Sequence, residues 1–562
     1  MLLSRLDLLA TAPGGVAKLR ELILTLAVQG KLVPQDPADE PVGGLLQKIR
    51  VEKDRLIAEG KIKRDKPLAE IAEEEKPFEL PEGWGWARVG ELGEVVGGGT
   101  PKTDEPKYWA SQGIPWLTPA DLYGRRDVTV AAGRRDISAD GLASSSARVL
   151  PAGTVLFSSR APIGYVAIAA NSLATNQGFK SCVPHLAGLS QYLYWNLKQL
   201  ARKIDSEASG TTFKEISGKD FANVVISLPP LTEQSRIVTR VEALMRLCDA
   251  LEAKGQLEAA QHAQLVSTLL GTLTASTTPE ELAENWQRVA QHFNLLLDRP
   301  EAIDALEQTL LQLAVRGLLV PQDPTDEPAS ALLQKIRTEK DRLIATGQIK
   351  RDKPLPPITD EEKPFELPVG WEWVRLGNIF DGGSGTTPLR ARTDFFTDGT
   401  ETWVKTTDLT NGLVTTCEEL ITKAAVAENR LKYFPAGTVC VAMYGGAGTI
   451  GKSGVLGVAS TINQSVFALP PVAGIDSEFL HTYVITVRSQ WMSFAGGLRK
   501  DPNINGQIIK KMVMPVPPLA EQSRIVTRVM ALRRLCADLR QRLAGCQSVQ
   551  ARLAEALVQE VA

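Results

Sequence analysis

The sequence Lys76-Pro-Phe-Glu-Leu-Pro81 occurs a second time as Lys363-Pro-Phe-Glu-Leu-Pro368, and this repeat decides the fold. Around it, residues 26–86 align without gaps onto a stretch that lies 287 residues later. A second block, Pro229-Pro-Leu-Thr-Glu-Gln-Ser-Arg-Ile-Val-Thr-Arg-Val241, recurs with one change 288 residues later. A period this long is typical of a duplicated domain pair and not of a solenoid. The 562-residue chain is therefore two tandem copies of one unit.

The similarity between the two copies is uneven. The flanking stretches are nearly identical, whereas residues 87–223 and 374–511 share only scattered matches. This pattern is expected when a common frame carries two domains that bind different things. The alternative is a duplicated enzyme whose halves have diverged, but divergence alone would not spare the flanks so sharply.

Long helices are predicted to follow each variable stretch. After Pro229 and Pro230, apolar residues recur at 4-3 spacing at Ile237, Val241, Leu244, Cys248 and Leu251. The second copy repeats this register, which is typical of a coiled-coil seam. Each helix covers roughly 40 residues and would be about 60 Å long. We expect the two helices to pack against each other in an antiparallel coiled coil that acts as a spacer.

The variable stretches are predicted to be mixed α/β, because Gly and Pro punctuate short β-type runs such as Gly153-Thr-Val-Leu-Phe157. The expected fold class is thus α+β, with two mixed α/β domains, long joining helices and a pseudo-two-fold internal repeat. The predicted domains are a helical region, a variable domain, a central helical region, a second variable domain and a last helix, at 1–76, 77–230, 231–363, 364–518 and 519–562.

Composition limits the possible functions. The net charge is −2, and residues 77–230 hold 15 Lys and Arg against 14 Asp and Glu, so any nucleic-acid contact must come from local clusters. The six cysteines show no C-x-x-C spacing and no two of the four histidines are three or four apart, so no metal site is expected. The N-terminus is a poor signal peptide and no long apolar run occurs, which predicts a cytoplasmic protein.

One motif suggests an enzyme. Residues Gly446-Ala-Gly-Thr-Ile-Gly-Lys-Ser453 fit the phosphate-binding pattern G-x-x-x-x-G-K-[ST], which requires a helix directly after it. The following Gly454-Val-Leu-Gly-Val-Ala-Ser-Thr461 is instead typical of a turn and strand, and the aligned stretch of the first copy lacks the Lys. We interpret the match as accidental. No methyltransferase or nuclease signature is found, so a non-catalytic chain without its own cofactor is predicted.

The motifs that bracket each variable domain carry a family resemblance. Pro77-Phe-Glu-Leu-Pro-Glu-Gly-Trp-Gly-Trp86 precedes the first variable domain, and Pro229-Pro-Leu-Thr-Glu-Gln234 follows it. Turns such as Gly98-Gly-Thr-Pro101 and the stretch Trp116-Leu-Thr-Pro-Ala-Asp-Leu122 belong to the same set. Over the whole chain, this order closely resembles the DNA specificity subunits of type I restriction–modification systems. Residues 271–299 depart from the pattern, and no role is assigned to them.

The resemblance implies two target recognition domains, each of which binds half of a split double-stranded DNA site. It also implies that the helices set the spacing and bind two methyltransferase subunits, and that motor–nuclease subunits join for restriction. The assembled complex would use S-adenosylmethionine, with ATP and Mg²⁺ for restriction.

Candidate DNA contacts are basic, hydroxyl and amide side chains in loops and at strand ends, since these groups bind phosphates and base edges. In the first domain they are Lys102, Thr118, Arg125, Arg126, Arg134, Arg135, Arg160, Thr211, Thr212 and Lys214. In the second they are Arg390, Arg392, Lys405, Thr406, Tyr444, Lys452, Arg499, Lys500 and Asn503. For each residue the alternative is a solvated surface group.

Polar and aromatic residues that the two copies share are interpreted as structural. Asn176 aligns with Asn463 and Asp121 aligns with Asp408, although the two domains should bind different sequences. The tryptophans at 84, 86, 371 and 373 are predicted to pack in the core. Two other functions stay open: an NTPase that uses Lys452, and a coiled-coil scaffold that does not touch DNA.

Overall fold

The computed structural model describes residues 6–64, 67–160, 162–208, 214–445, 448–491 and 504–561. The chain forms two compact units. Unit 1 comprises Met1–Leu257 and Gln547–Ala562, and unit 2 comprises Glu258–Cys546.

The helices of unit 1 are mostly in the flanking stretches. Their bounds are α1 (Leu6–Thr11), α2 (Gly15–Val28), α3 (Val42–Ala58), α4 (Val89–Leu92), α5 (Ala139–Ala143), α6 (Ser190–Glu207), α7 (Gly218–Ala222) and α8 (Leu231–Ala275), which continues into the residues of unit 2. Helix α7 begins after Ser217, whose hydroxyl accepts a hydrogen bond from the backbone N–H of Asp220 and so caps the helix.

Three small sheets form the first variable domain. The strands are β1 (Gly85–Arg88), β2 (Gly93–Gly97), β3 (Trp109–Ala110), β4 (Ile114–Leu117), β5 (Thr129–Val130), β6 (Arg135–Ile137), β7 (Val155–Ser158), β8 (Val166–Ala169), β9 (Ala174–Thr175), β10 (Phe179–Pro184) and β11 (Val225–Leu228). The largest sheet has the order β2-β10-β7-β8-β5, and a four-stranded sheet has the order β3-β6-β4-β9. The first and last strands, β1 and β11, pair antiparallel. They close the domain where the chain passes to the helical flanking segments (residues 1–76, 231–363 and 519–562), which we call the frame.

Unit 2 contains the remaining helices. Their bounds are α9 (Pro279–Gln291), α10 (Phe293–Leu296), α11 (Pro300–Val315), α12 (Ala329–Ala345), α13 (Leu376–Ile379), α14 (Lys423–Glu428), α15 (Ser477–Thr486), α16 (Gly506–Lys511) and α17 (Leu519–Val561), of which the last ends among the residues of unit 1.

The strands of unit 2 repeat the plan of unit 1. They are β12 (Glu372–Arg375), β13 (Gly383–Ser384), β14 (Glu401–Val404), β15 (Gly412–Val414), β16 (Leu420–Ile421), β17 (Val439–Ala442), β18 (Ser453–Leu456), β19 (Thr461–Ile462), β20 (Val466–Leu469) and β21 (Val513–Val516). The five-stranded order β13-β20-β17-β18-β15 matches that of unit 1, and β12 pairs with β21 as β1 pairs with β11. The predicted fold class, mixed α/β domains with long helices and an internal repeat, is confirmed.

The apolar stripe of α8 packs into the core of unit 1. Ile237, Val241 and Cys248 lie in one cluster with α2 and α6, and Ala554 near the end of α17 belongs to the same cluster. Lys18 of α2 also forms an ion pair with Glu555. The stripe therefore binds the shorter frame helices as well as the other long helix.

The core of unit 2 includes the last turns of α8 and the middle of α17. Val266 and Leu270 of α8 share a cluster with Cys536 of α17 and with Ile303 and Leu306 of α11. In this cluster α11 packs against the apolar residues of α17.

Residues 271–299, which had no assigned role, form part of this unit 2 core. Leu273, Val289 and Leu296 are buried in the cluster with α11. Asn285 donates a 3.0 Å hydrogen bond to the Ser276 hydroxyl, and Arg316 donates to the Thr274 carbonyl. The stretch therefore stabilises the frame of unit 2.

Candidate nucleic-acid interface

The Gly-Thr-Pro turn of the first domain presents Lys102 to solvent. Lys102 is exposed, and its backbone carbonyl accepts a 3.3 Å hydrogen bond from the Trp109 indole. Thr118 ends the neighbouring strand β4, but its hydroxyl donates at 2.8 Å to Asp121. Lys102 is thus available to a ligand, whereas Thr118 is engaged in its own turn.

Arg125 and Arg126 are adjacent but differ in their partners. Arg126 forms ion pairs with Asp249 at 3.3 Å and with Glu252 at 2.9 Å, both on α8. The Arg125 guanidinium forms an ion pair with the neighbouring Asp127, at 3.6 Å. In the free chain Arg126 thus also holds the domain to α8, and both arginines stay candidate DNA contacts.

Arg134 and Arg135 lie at the start of β6. The Arg134 side chain is 83% exposed and its nearest carboxylate, on Asp121, is 3.8 Å away. Arg135 places its guanidinium 3.6 Å from the centroid of the Trp109 ring, a cation–π contact that holds it in one orientation. The oriented Arg135 is suited to a contact with a base, and the exposed Arg134 is suited to a contact with a phosphate.

Arg160 follows strand β7 and forms a three-membered charge cluster. Its Nε atom donates at 2.8 Å to Glu215, which also accepts from Lys180 at 3.3 Å. Lys214 is exposed next to this cluster and donates to the Asp205 carbonyl at 3.3 Å. The candidates Thr211 and Thr212 lie outside the described residues.

In the second domain, acidic residues surround the basic candidates. Arg390 donates to Glu419 at 2.9 Å and stacks over the Phe396 ring at 4.7 Å. The Arg390 guanidinium lowers the pKa of the Glu419 carboxyl. Lys405 is also within 3.3 Å of Glu419, and Thr406 follows it in a half-buried turn.

Arg392 is held by two carboxylates, Asp394 at 2.7 Å and Glu428 at 3.3 Å. Tyr444 is half-buried against the domain core, so its surface is only partly available. The candidates Arg499, Lys500 and Asn503 lie outside the described residues.

The phosphate-binding motif is followed by a strand and not by the helix that nucleotide binding requires. Ser453, its last residue, begins strand β18, which pairs with β17 on one side and with β15 on the other. The interpretation of the match as accidental is therefore confirmed, because a strand stands where the motif needs a helix. Lys452 is half-buried before that strand.

The shared polar residues are structural, as predicted. The Asn176 side chain accepts a 2.9 Å bond from the Gly178 N–H, and Asn463 accepts from Ser465 in the same way. Asp121 and Asp408 each accept the backbone N–H of the residue three positions earlier. Trp84 and Trp371 are buried, and Trp86 and Trp373 pack on Phe78 and Phe365.

Tyr123 is a candidate that the sequence reasoning missed. It is 78% exposed, and its ring lies 6.5 Å from that of Tyr165. The signal was present in the sequence, since an aromatic residue next to a Gly-Arg-Arg turn is suited to stacking on a base.

Among the described residues, no three His, Cys, Asp or Glu side chains are placed to hold a metal ion. In the same part of the chain, no helix combines the length and apolarity needed to cross a bilayer.

Comparison with known proteins gave matches over nearly the whole chain. A family model described as "Type I restriction modification DNA specificity domain" matches residues 81–261 and 368–544. The chain is 35% identical to the type I restriction enzyme EcoAI specificity subunit of Escherichia coli, covering 97% of this chain and 93% of that protein. The EcoEI specificity subunit of the same species matches with equal identity and coverage.

A chain from a solved structure supports the fold. That structure is described as "Structural basis underlying complex assembly and conformational transition of the type I R-M system". The TM-score is 0.51 at 19% identity, covering 86% of this chain and 99% of that one. Together with the duplicated frame and the two matching sheets, these matches show that the chain belongs to the family of type I restriction–modification DNA specificity subunits.

Proposed function

We propose that residues 77–230 and 364–518 each bind one half of a bipartite double-stranded DNA site. Members of this family confer DNA sequence specificity on enzymatic subunits, and the chain is itself not an enzyme. The observation that carries the proposal is the contrast within the repeat. The two domains share one sheet order, whereas the polar side chains on them differ.

The exposed side chains divide into two roles. Lys102, Arg125 and Arg134 have long, exposed side chains, which are suited to phosphates. Arg135 and Arg390 are oriented by aromatic rings, which suits them to base edges in the major groove. The candidates outside the described residues, Thr211, Thr212, Arg499, Lys500 and Asn503, are kept as proposed contacts.

Local contacts are required because the domains are nearly neutral overall. In residues 364–518, 13 Lys and Arg face 13 Asp and Glu. Several basic candidates, such as Arg392, are paired with carboxylates in the free chain. DNA binding would exchange these carboxylates for phosphates, and the partner subunits would add positive charge.

The helical segments 1–76, 231–363 and 519–562 form the frame that sets the distance between the half-sites. Helix α8 has 45 residues, which corresponds to about 68 Å. Within unit 1 the first half of α8 shares a core cluster with Ala554 of α17, and within unit 2 the last turns of α8 share one with Cys536 of α17.

The frame would also bind two methyltransferase subunits, and motor–nuclease subunits would join for restriction. These subunits would use S-adenosylmethionine, and ATP with Mg²⁺. The complex would act on DNA in the cytoplasm.

A domain replacement tests the proposal. A chain in which residues 364–518 replace residues 77–230 keeps both flanking motifs, since they are nearly identical in the two copies. Co-expressed with its methyltransferase, it should methylate a site in which the second half-site occurs twice, in inverted orientation. Methylation of the original motif by this chain would contradict independent binding by the two domains.

A further inference from the structure

Each unit holds a charged contact between a short frame helix and a long helix. In unit 1, the Arg20 guanidinium of α2 lies 2.7 Å from Asp249 and 3.3 Å from Glu252, both on α8. The same two carboxylates also bind Arg126 of the variable domain. We call the contact of α2 with α8 the first contact. In it the short helix carries the positive charge and the long helix carries the negative charge.

The second contact joins α11 to α17 in unit 2, and its charges are the opposite ones. The Glu307 carboxylate of α11 accepts a hydrogen bond from Arg533 at 2.8 Å and another from Arg540 at 2.5 Å. Asp304, one turn earlier on α11, lies 2.7 Å from Arg540. Burial alone would raise the pKa of the Glu307 carboxyl, but the hydrogen bonds from Arg540 and Arg533 hold it below its ordinary value. Here the short helix is acidic and the long helix is basic.

The reversal lies at positions that the repeat aligns. Arg20 aligns with Glu307 at the offset of 287, and Glu252 aligns with Arg540 at the offset of 288. The two copies therefore differ in charge sign at both partners of the same contact. A difference at one partner alone would set like charges against each other, which costs stability. The paired difference keeps each contact attractive within its own unit.

The apolar side of these helices does not distinguish the two units. Aligned positions bury the same residue in both copies, for example Leu19 and Leu306, Ala27 and Ala314, and Val241 and Val529. Apolar packing is non-directional and depends on the area buried. By these residues alone, α2 would fit α17 as well as it fits α8.

A duplicated frame carries a risk that a single copy does not. When two elements are nearly identical, two chains can exchange them and form a domain-swapped dimer. An exchanged pairing would set Arg20 against Arg540, or Glu307 against Glu252. Like charges placed opposite each other disfavour a wrong partner while the right partner keeps its attraction.

We propose that the first and second contacts select the partner of each short helix, so that α2 binds α8 and α11 binds α17. Their opposite charges oppose the exchange of short helices between two chains. Each chain then folds by itself and keeps one copy of each recognition domain. The inference goes beyond the proposed function, because it concerns the pairing of helices in the free chain.

Giving unit 2 the charges of unit 1 tests the proposal. The uniform variant carries the residues that unit 1 has at the aligned positions, Asp304→Ala, Glu307→Arg, Arg533→Met, Ala537→Asp and Arg540→Glu. Both contacts then stay attractive, so the chain should fold, but charge no longer distinguishes α2 from α11. Isotopically heavy and light preparations of the variant are unfolded in urea, refolded together and weighed by native mass spectrometry.

The uniform variant should form heavy–light dimers in an amount about 10-fold or more above that of the original chain, which should refold as monomers. The matched control, Glu307→Asp with Arg533→Lys and Arg540→Lys, keeps every charge sign and should also refold as monomers. Heavy and light preparations of the uniform variant that are mixed without urea should give no mixed dimers, because exchange requires unfolding.

The Glu307→Arg variant tests the second contact by itself. It places a third positive charge beside Arg533 and Arg540, so it should lower the melting temperature of the chain. The four other substitutions of the uniform variant should restore that temperature, because they make the contact attractive again. A melting temperature that Glu307→Arg leaves unchanged would show that the contact has no influence on pairing.

Three results of the refolding experiment would overturn the proposal. The first is a uniform variant that forms no more mixed dimers than the original chain does. The second is an equal amount of mixed dimers from the matched control, since charge sign would then not be the cause. The third is the formation of mixed dimers without urea, which would show simple association in place of exchange.

Discussion

The indole nitrogen of Trp84 donates a 2.9 Å hydrogen bond to a carboxylate oxygen of Glu233, and both side chains are buried. The bond joins the motif that opens the first recognition domain to the helix that leaves it. Trp371 and Glu521 repeat the contact at 2.9 Å in unit 2. In each unit, a Gln from the frame, Gln35 or Gln322, donates to the other carboxylate oxygen.

Replacing Trp84 with Phe should destabilise unit 1. The buried carboxylate would lose a donor and the smaller phenyl ring would leave part of the indole's volume empty, so we expect a loss of at least about 1–3 kcal/mol in the free energy of unfolding. Urea denaturation followed by circular dichroism measures it. Trp86→Phe is the control, because Trp86 packs on Phe78 and is only half-buried. Equal losses in the two variants would contradict a specific role for the hydrogen bond.

The same pair predicts a pH dependence. Burial raises the pKa of the Glu233 and Glu521 carboxyls, although the bonds from Trp84 and Gln35 partly oppose this for Glu233. A raised pKa means that the folded state favours the protonated form, so this contribution to stability is lost as the pH rises above about 4.5.

Replacing both glutamates with Gln removes this titration. The melting temperature of the Glu233→Gln, Glu521→Gln variant minus that of the original chain should therefore increase between pH 4.5 and 7. Differential scanning calorimetry across this range provides the measurement. A constant difference between the two chains would show that these carboxyls do not titrate in that window.

The buried arginines show how much the sequence could predict. The repeat, the long helices and the mixed α/β domains followed from periodicity and from the two offsets. The role of Arg88 and Arg375 did not, although the two are aligned matches of the variable stretches, 287 residues apart. Each donates to two carbonyls of the preceding linker and binds a carboxylate, Glu75 or Glu362, within 3.0 Å. The Arg375 guanidinium lowers the pKa of Glu362 to about 2.

The partners of the candidate contact residues could not be predicted from the sequence, for a physical reason. Sequence identifies which residues are basic but not which carboxylates the fold brings to them. Arg126 and Asp249 are 123 residues apart, and only the packing of the domain on α8 brings them together. The coiled-coil seam is similar, because its pattern identifies a buried face without naming α2 and α11 among the surfaces that cover it.

DNA affinity should distinguish Arg125 and Arg134 from Arg126. The double variant Arg125→Ala, Arg134→Ala should bind duplex DNA more weakly in the assembled complex, and the slope of log affinity against log salt should fall by about 2. Fluorescence anisotropy at several salt concentrations measures this slope.

Arg126→Ala is the matched control. It should leave the salt slope unchanged and lower the melting temperature, because it removes the ion pairs with Asp249 and Glu252. If Arg126→Ala reduces the slope and the double variant does not, the assignment of these residues is reversed.

Lys452 tests the NTPase alternative. Because strand β18 follows it directly, we expect the isolated chain to show no ATP binding by isothermal titration calorimetry. The Lys452→Ala variant should give the same heats as the original chain. If the chain binds ATP and this substitution abolishes the binding, residues 446–453 form a nucleotide site and the NTPase alternative is supported.

Methylation mapping tests the central claim most directly. The chain is co-expressed with its methyltransferase in a host without DNA methylation, and the genome is sequenced for modified bases. Our account predicts one split motif, in which two short specific blocks are separated by a fixed number of unspecified base pairs. A contiguous motif would contradict it, because only one of the two recognition domains would then bind DNA specifically.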